Sequence, residues 1–226
     1  MRQTWHDLLF AHWPVSRARL RPLVPAAFEL DLFDGDAWVG VVPFFMTNVT
    51  ARGVPPLPWL SAFPELNVRT YVRVGPRAGV YFFSLDAGRL LAVMAARLLN
   101  LPYFAASIQV ARSADMVSYR SRRPGWPAEF EARYHPSGPV YRAPAGSLDH
   151  FLTERYCLYA LDRWRRPYRL DIDHAPWPLQ PAAAEMTKNT MASAAGIVLP
   201  SREPLLHFAR RQDMVGWMPS SVSSPP

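Results

Sequence analysis

Glu65, Asn67, Arg69, Tyr71 and Arg73 alternate with Leu66, Val68, Thr70 and Val72. Successive side chains of a strand point to opposite faces, so this spacing sorts an acid, an amide, a phenol and two guanidiniums onto one side. Such a row is either a solvated face or the wall of a polar pocket. Glu65 and Arg69 would stand about 13 Å apart along the strand, too far to pair with each other. They could instead hold opposite ends of one ligand, and an arginine in a pocket suits a carboxylate, gripped bidentately. The alternative is that both make ion pairs across the sheet.

Other chemistry is thinly represented. His6 and His12 are six residues apart with no cysteine or carboxylate to complete a metal set, and His135, His150, His174 and His207 are scattered. No metal is expected from that distribution. Ser84 lies in an apolar run without the Gly-x-Ser-x-Gly elbow of a serine hydrolase. Cys157, the single cysteine, stands among Tyr156, Leu158 and Tyr159 and reads as a small buried hydrophobe. One cysteine excludes an internal disulfide framework and fits a reducing compartment. Gly-rich nucleotide and phosphate loops are absent, so no cofactor is expected. Lys188 is the only lysine, hence the only side-chain amine for Schiff-base chemistry, and its Thr-Lys-Asn-Thr setting predicts a loop.

All but one of the 25 basic side chains are therefore arginines, and the formal net charge is +7. The densest basic patch, Arg163-Trp-Arg165-Arg166-Pro-Tyr-Arg169, is flanked by Asp162, Asp171 and Asp173, and the other arginines are dispersed. No nucleic-acid partner is expected. The N-terminus lacks the apolar core of a signal peptide, and the apolar runs Trp38–Met46 and Leu90–Leu99 are too short to span a bilayer. The expectation is a cytoplasmic protein without membrane association; the sequence leaves room for a homo-oligomer.

The positioning elements follow from pattern and punctuation. Twenty-four prolines against 11 glycines favour short strands joined by rigid turns. Ser16 is placed to cap a short basic helix ending by Pro22 or Pro25. Phe28–Leu32 reads as a strand, Asp34-Gly35 as a hairpin turn, and Ala37–Met46 as a strand apolar on both faces. Ala51–Pro64 is a proline-rich loop. After the polar row, Val80–Leu85 is again apolar on both faces, and one helix is predicted through Leu90, Met94 and Leu98. Phe104–Arg112, Met116–Arg122 and Glu129–His135 read as strands, and Ser147 caps a helix through Phe151 and Leu152. Tyr156–Leu161 and Tyr168–His174 form a hairpin, and a last strand falls near Leu205–Phe208 or Met214–Trp217. The fold class is α+β: one domain over residues 1–219, a curved, mostly antiparallel sheet or barrel around a pocket with one main buried helix. Residues 220–226 read as a flexible tail. Doubly apolar strands beside the Glu65 row favour the pocket over the solvated face.

Several segments, in order, resemble the YqjF-like proteins, an uncharacterised bacterial family. They are Phe10-Ala-His12-Trp13-Pro14, Asp34-Gly-Asp-Ala-Trp38 through Phe44, Glu65 through Val72, Gly79-Val-Tyr-Phe-Phe-Ser-Leu-Asp-Ala87, Leu101-Pro-Tyr103 and Phe151-Leu-Thr-Glu-Arg-Tyr156. That family is similar in fold to acetoacetate decarboxylase, a cone-like β structure around a closed, mostly apolar pocket. The decarboxylases work through a lysine that follows a proline shortly after the helix and forms an imine with a β-keto acid. In Asn100-Leu-Pro102-Tyr103-Phe104, Tyr103 stands in that lysine's place, and a phenol cannot form an imine. The resemblance thus implies an inherited pocket without the decarboxylation chemistry. The relatives also carry a pocket glutamate in an aromatic-x-x-Glu context that Phe63-Pro-Glu65 approximates.

Two functions stay open on this basis. One is a pocket protein for a small organic acid or related molecule, with Glu65 and Tyr103 as candidate acid–base groups and Asn67, Arg69, Tyr71 and His12 as ligand contacts. The other is a structural or interaction protein that keeps the fold without activity.

Overall fold

Strands that are apolar on both faces need cover on both sides. The computed structural model, which describes residues 1–50, 61–88 and 100–222, supplies that cover with a barrel wall between a cavity and a second sheet. The strands are β1 (Arg2–Val15), β2 (Glu29–Leu30), β3 (Ala37–Thr50), β4 (Phe63–Val74), β5 (Arg77–Ala87), β6 (Tyr103–Ala105) and β7 (Ser107–Ser113). They continue as β8 (Met116–Arg122), β9 (Glu129–Pro136), β10 (Cys157–Leu161), β11 (Pro167–Asp173), β12 (Gln180–Asn189), β13 (Leu205–Gly216) and β14 (Ser220–Ser221).

Strands β1, β3, β4, β5, β10, β11 and β13 pair in that order, and β11 pairs with β13 to close the ring. Ring contacts are antiparallel except β5 with β10. From β13 the ladder runs on through β12, β9, β8 and β7 as an antiparallel flap. The flap folds over the outer face of the barrel. Leu9, Ala11, Val39, Val41, Leu66 and Val68 pack there with Val117, Tyr119, Phe130 and Tyr134 in one buried core. Their alternates, among them Leu8, Phe10, Val42 and Phe44, face the cavity. Period-two alternation thus supplies two apolar surfaces from each strand, one for the core and one for the pocket.

The Asp34-Gly35 turn forms as expected: Phe33 bridges to Asp36, and the two central residues have φ of 50° and 85°, the left-handed pair a type I′ turn requires. Ser147 caps the helix Leu148–Thr153, its hydroxyl accepting from the His150 N–H. The other α-helices among the described residues, Arg17–Leu20 and Met191–Ala194, are single turns, the first running on into a 3-10 turn at Arg21–Leu23. The helix expected over Leu90–Leu99, and residues 51–60 of the expected loop, lie outside the described residues.

Four expectations need correction. Phe104–Arg112 is split: β6 runs parallel beside β5, while β7 is the far edge of the flap. Lys188 lies on β12, a strand laddered against β9, not in a loop. The last strand is continuous, joining the two short stretches into β13. Ser220 and Ser221 pair with Arg169 and Tyr168, so the chain is still in the sheet where a tail was expected.

Candidate functional site

The barrel encloses a cavity of about 690 Å³. Strand β1 contributes Trp5, Leu8 and Phe10, and β3 contributes Val42, Phe44 and Met46. Strand β4 contributes Phe63, Glu65, Asn67 and Arg69, so three members of the polar row face inward. A register shift separates the pairs Val68–Ser84 and Arg69–Phe82, which leaves Phe83 as an extra residue on β5. The bulge is on β5, and β4 keeps its alternation through Arg69.

Glu65 is almost wholly buried, and its Oε2 accepts a 2.8 Å hydrogen bond from the Tyr103 hydroxyl. Burial pushes the carboxyl up to about 7; the Tyr103 hydrogen bond opposes this and the Asp86 charge adds to it. The Tyr103 phenol is held well above its ordinary value by burial and by Glu65. The pair therefore keeps the phenol proton, and the carboxyl exchanges its own proton near neutrality. The Glu65 backbone is fixed from outside the barrel, where Tyr119 donates its hydroxyl to the Glu65 carbonyl at 2.8 Å.

Of the two arginines that line the cavity, Arg69 is the one without a counterion among the described residues. Its Nη2 reaches the Leu152 carbonyl at 3.2 Å, its guanidinium carbon lies 5.4 Å from the Phe10 ring, and Nε is buried without a partner. No carboxylate pairs with it among the described residues. Arg155, the other cavity arginine, is neutralised by Asp31 at 2.6 Å and tied to the Phe151 carbonyl at 2.7 Å. Asn67 also lines the cavity, its buried Oδ1 unsatisfied.

Tyr71 and His12, expected as ligand contacts, do not line the cavity. Tyr71 donates to the Leu152 carbonyl at 2.7 Å, and its oxygen lies 2.7 Å from His12 Nε2. With the phenol proton committed to the carbonyl, the imidazole supplies Nε2–H, and Nδ1 is left unprotonated and unpartnered. Burial, then Arg69 and His207, keep His12 well below the usual histidine range, so it is neutral. The pair packs behind Arg69 and sets its position. Gly40, opposite Arg69, makes room: a Cβ there would lie 3.0 Å from the His12 ring.

The remaining candidates take structural places. His6 bonds Thr47 and His207 meets Asp149, and no cluster of three or more metal-capable groups exists among the described residues. Cys157 borders the cavity, but its thiol donates to the Ala78 carbonyl and is raised by burial. Lys188 is half exposed on the flap and paired with Glu129, away from the cavity. Arg123, expected from the sequence to be an exposed turn arginine, is instead buried and paired with Asp86 at 2.5 Å between barrel and flap. Sequence reasoning also missed Arg155, though it lies in a segment of the family resemblance, and Trp5 and Trp177. Trp177 sits in a proline-rich stretch with no periodicity to point at the cavity.

The sequence profile of the family DUF2071, "Uncharacterized conserved protein (COG2071)", matches residues 2–213. "Uncharacterized protein YqjF" of Bacillus subtilis (strain 168) is 49% identical over 219 residues, covering 96% of this chain and 90% of its own length. Among solved structures, the enduracididine biosynthesis enzyme MppR complexed with pyruvate aligns with a TM-score of 0.69 at 13% identity, covering 99% of this chain and 90% of that one. An acetoacetate decarboxylase-like enzyme from Sphingomonas wittichii RW1 gives 0.67 at 16%, covering 99% and 93%. At such identities the likeness is one of fold, and it is the acetoacetate decarboxylase-like fold.

Proposed function

The chain belongs to the DUF2071 family of uncharacterized conserved proteins, and on that premise we propose that it holds a small organic acid in its barrel cavity, anchored at Arg69. The observation that carries this is the unpaired Arg69 guanidinium in a mostly apolar wall. A half-buried cation without a counterion is costly, and an anionic ligand offsets that cost with charge-assisted, bidentate bonds. A neighbour in fold, MppR, has been crystallised with pyruvate, a small carboxylic acid, which supports the ligand class. An open cavity also argues against a fold kept for structure alone, since close packing would otherwise fill it.

Glu65 and Tyr103 are the acid–base groups of this site. A carboxyl near 7 can give or take a proton at neutral pH, which is the property general acid–base catalysis needs. Imine chemistry of the decarboxylase kind has no cavity lysine to use: the resemblance puts Tyr103 where the decarboxylases carry lysine, and the only lysine, Lys188, is paired with Glu129 on the flap.

Titration of a carboxylate panel by calorimetry and tryptophan fluorescence tests the proposal. Arg69→Gln should weaken binding by at least about tenfold, the loss of a hydrogen bond to a charged group. Arg17→Ala, a change of an exposed arginine far from the cavity, should leave binding unchanged. Equal affinity of the Arg69 variant and the parent would overturn it.

A further inference from the structure

We infer that the acid taken by this cavity has an elongated apolar body, of medium-chain or aryl-alkanoic type, and is not a short keto acid. The inference rests on the placement of an anion at Arg69 and adds the length and chemistry of the remainder.

Volume is the first argument. A cavity of about 690 Å³ has room for roughly 20 waters at their liquid share of about 30 Å³ each. A short keto acid bound at Arg69 would leave most of that space to water lying against aromatic rings, where it finds few hydrogen-bond partners. Cavities of this size commonly enclose ligands of drug-like dimensions.

Register is the second. Along β3, Gly40 lies opposite Arg69, Val42 opposite Asn67, Phe44 opposite Glu65 and Met46 opposite Phe63, with Trp5 of β1 beside Met46. On β4 the polar groups Arg69, Asn67 and Glu65 span about 13 Å of this wall, while the facing β3 positions Val42, Phe44 and Met46 are apolar throughout and Phe63 follows Glu65. From the Gly40 level to the Met46 level is about 20 Å at the rise of a strand. That length exceeds a short keto acid and matches an extended chain.

A continuous aromatic path runs the same way. The Arg69 guanidinium lies over Phe10, Phe10 meets Trp177 edge-on at 5.0 Å, and Trp177 stacks on Trp5 at 5.8 Å. The Trp5 indole N–H is already satisfied by Gln3, so the ring offers an apolar face. Beyond it the cavity reaches the surface at Met1 and Trp217, which are 44% and 54% exposed. A cation at one level and a mainly aromatic wall beyond it, interrupted by His174 against Trp177, Gln3 against Trp5 and Asp171 against Trp217, together describe a receptacle for an amphiphilic acid.

The test is a chain-length series on the full-length protein: butyrate, hexanoate, octanoate and decanoate, with acetoacetate, pyruvate and 1-octanol for comparison. Affinity should rise about fourfold per added methylene, and octanoate should bind at least about tenfold tighter than octanol, the worth of a hydrogen bond to a charged group. Acetoacetate, pyruvate or butyrate binding as tightly as decanoate would overturn the inference and leave the organic-acid proposal standing. Octanol matching octanoate, with Arg69→Gln indifferent to either, would overturn the anion site and the inference with it. Failure of every acid to bind would do the same.

Discussion

Tyr103 and Glu65 meet across strand β5. Tyr103 pairs beside Leu85 on one side, Glu65 beside Ala87 on the other, and the phenol donates to the carboxyl at 2.8 Å. The contact joins a phenol to a carboxyl already pushed up to about 7. An uncharged donor there cannot stabilise the carboxylate as an ammonium would, so burial dominates and the carboxyl tends to keep its proton.

A folded-state pKa above the ordinary 4.5 means that the native protein binds the Glu65 proton more tightly than the unfolded chain does. This contribution to stability is complete below about 4.5 and is lost as pH rises to about 7. The shift corresponds to on the order of 3 kcal/mol. His12 and His207, both depressed by burial, act with opposite sign, their stability being lost as pH falls below 6.5. The clean readout is therefore the difference between the parent and Glu65→Gln in urea unfolding from pH 4.5 to pH 8. The parent should lose ground against the variant as pH rises; parallel stability curves would contradict the buried, proton-holding carboxyl.

Borohydride reduction in the presence of acetoacetate should leave the intact mass unchanged. The only lysine is on β12 of the flap, half exposed, ion-paired with Glu129 and outside the cavity, so no lysine amine faces a keto acid bound there. A stoichiometric adduct at Lys188 would defeat this expectation.

Much of the inward wall was legible from alternation. Glu65, Asn67 and Arg69 share the cavity face because β4 stays in phase, and the doubly apolar β3 is a wall with a cavity behind one face and a flap against the other. Tyr71 lies on the same face as Arg69 but ends in a buried hydrogen-bond network, a distinction that depends on where Leu152 and His12 arrive from distant parts of the chain. β12 carries Ala182, Ala183 and Ala184, whose small side chains give no periodic signal; its pairing with β9 exists only in the tertiary fold. Arg123 looks like an ordinary turn residue until the flap brings it to Asp86.

Arg123→Met should destabilise the protein by about 3–5 kcal/mol, because it leaves Asp86 buried and unpaired. Asp86→Asn in the Arg123→Met background should recover part of the loss, since the stranded charge is then gone. Chemical denaturation of the single and double variants gives the coupling. An Arg123→Met protein as stable as the parent would mean that the pair is not buried between barrel and flap.

Tyr71→Phe separates support of the site from contact with ligand. The substitution removes one hydroxyl from a fully buried position and leaves the Leu152 carbonyl its bond from Arg69. His12 has no such reserve. Nδ1 already lacks a partner, so whichever ring nitrogen carries the proton, an N–H is left buried and unsatisfied. The expected cost is about 1–3 kcal/mol of stability. Because Tyr71 does not line the cavity, carboxylate affinity in the folded protein should fall far less than in Arg69→Gln. Calorimetric titration beside denaturant unfolding distinguishes the two: a Tyr71→Phe protein of unchanged stability that has lost acid binding would place the phenol in contact with the ligand and return Tyr71 to the binding surface.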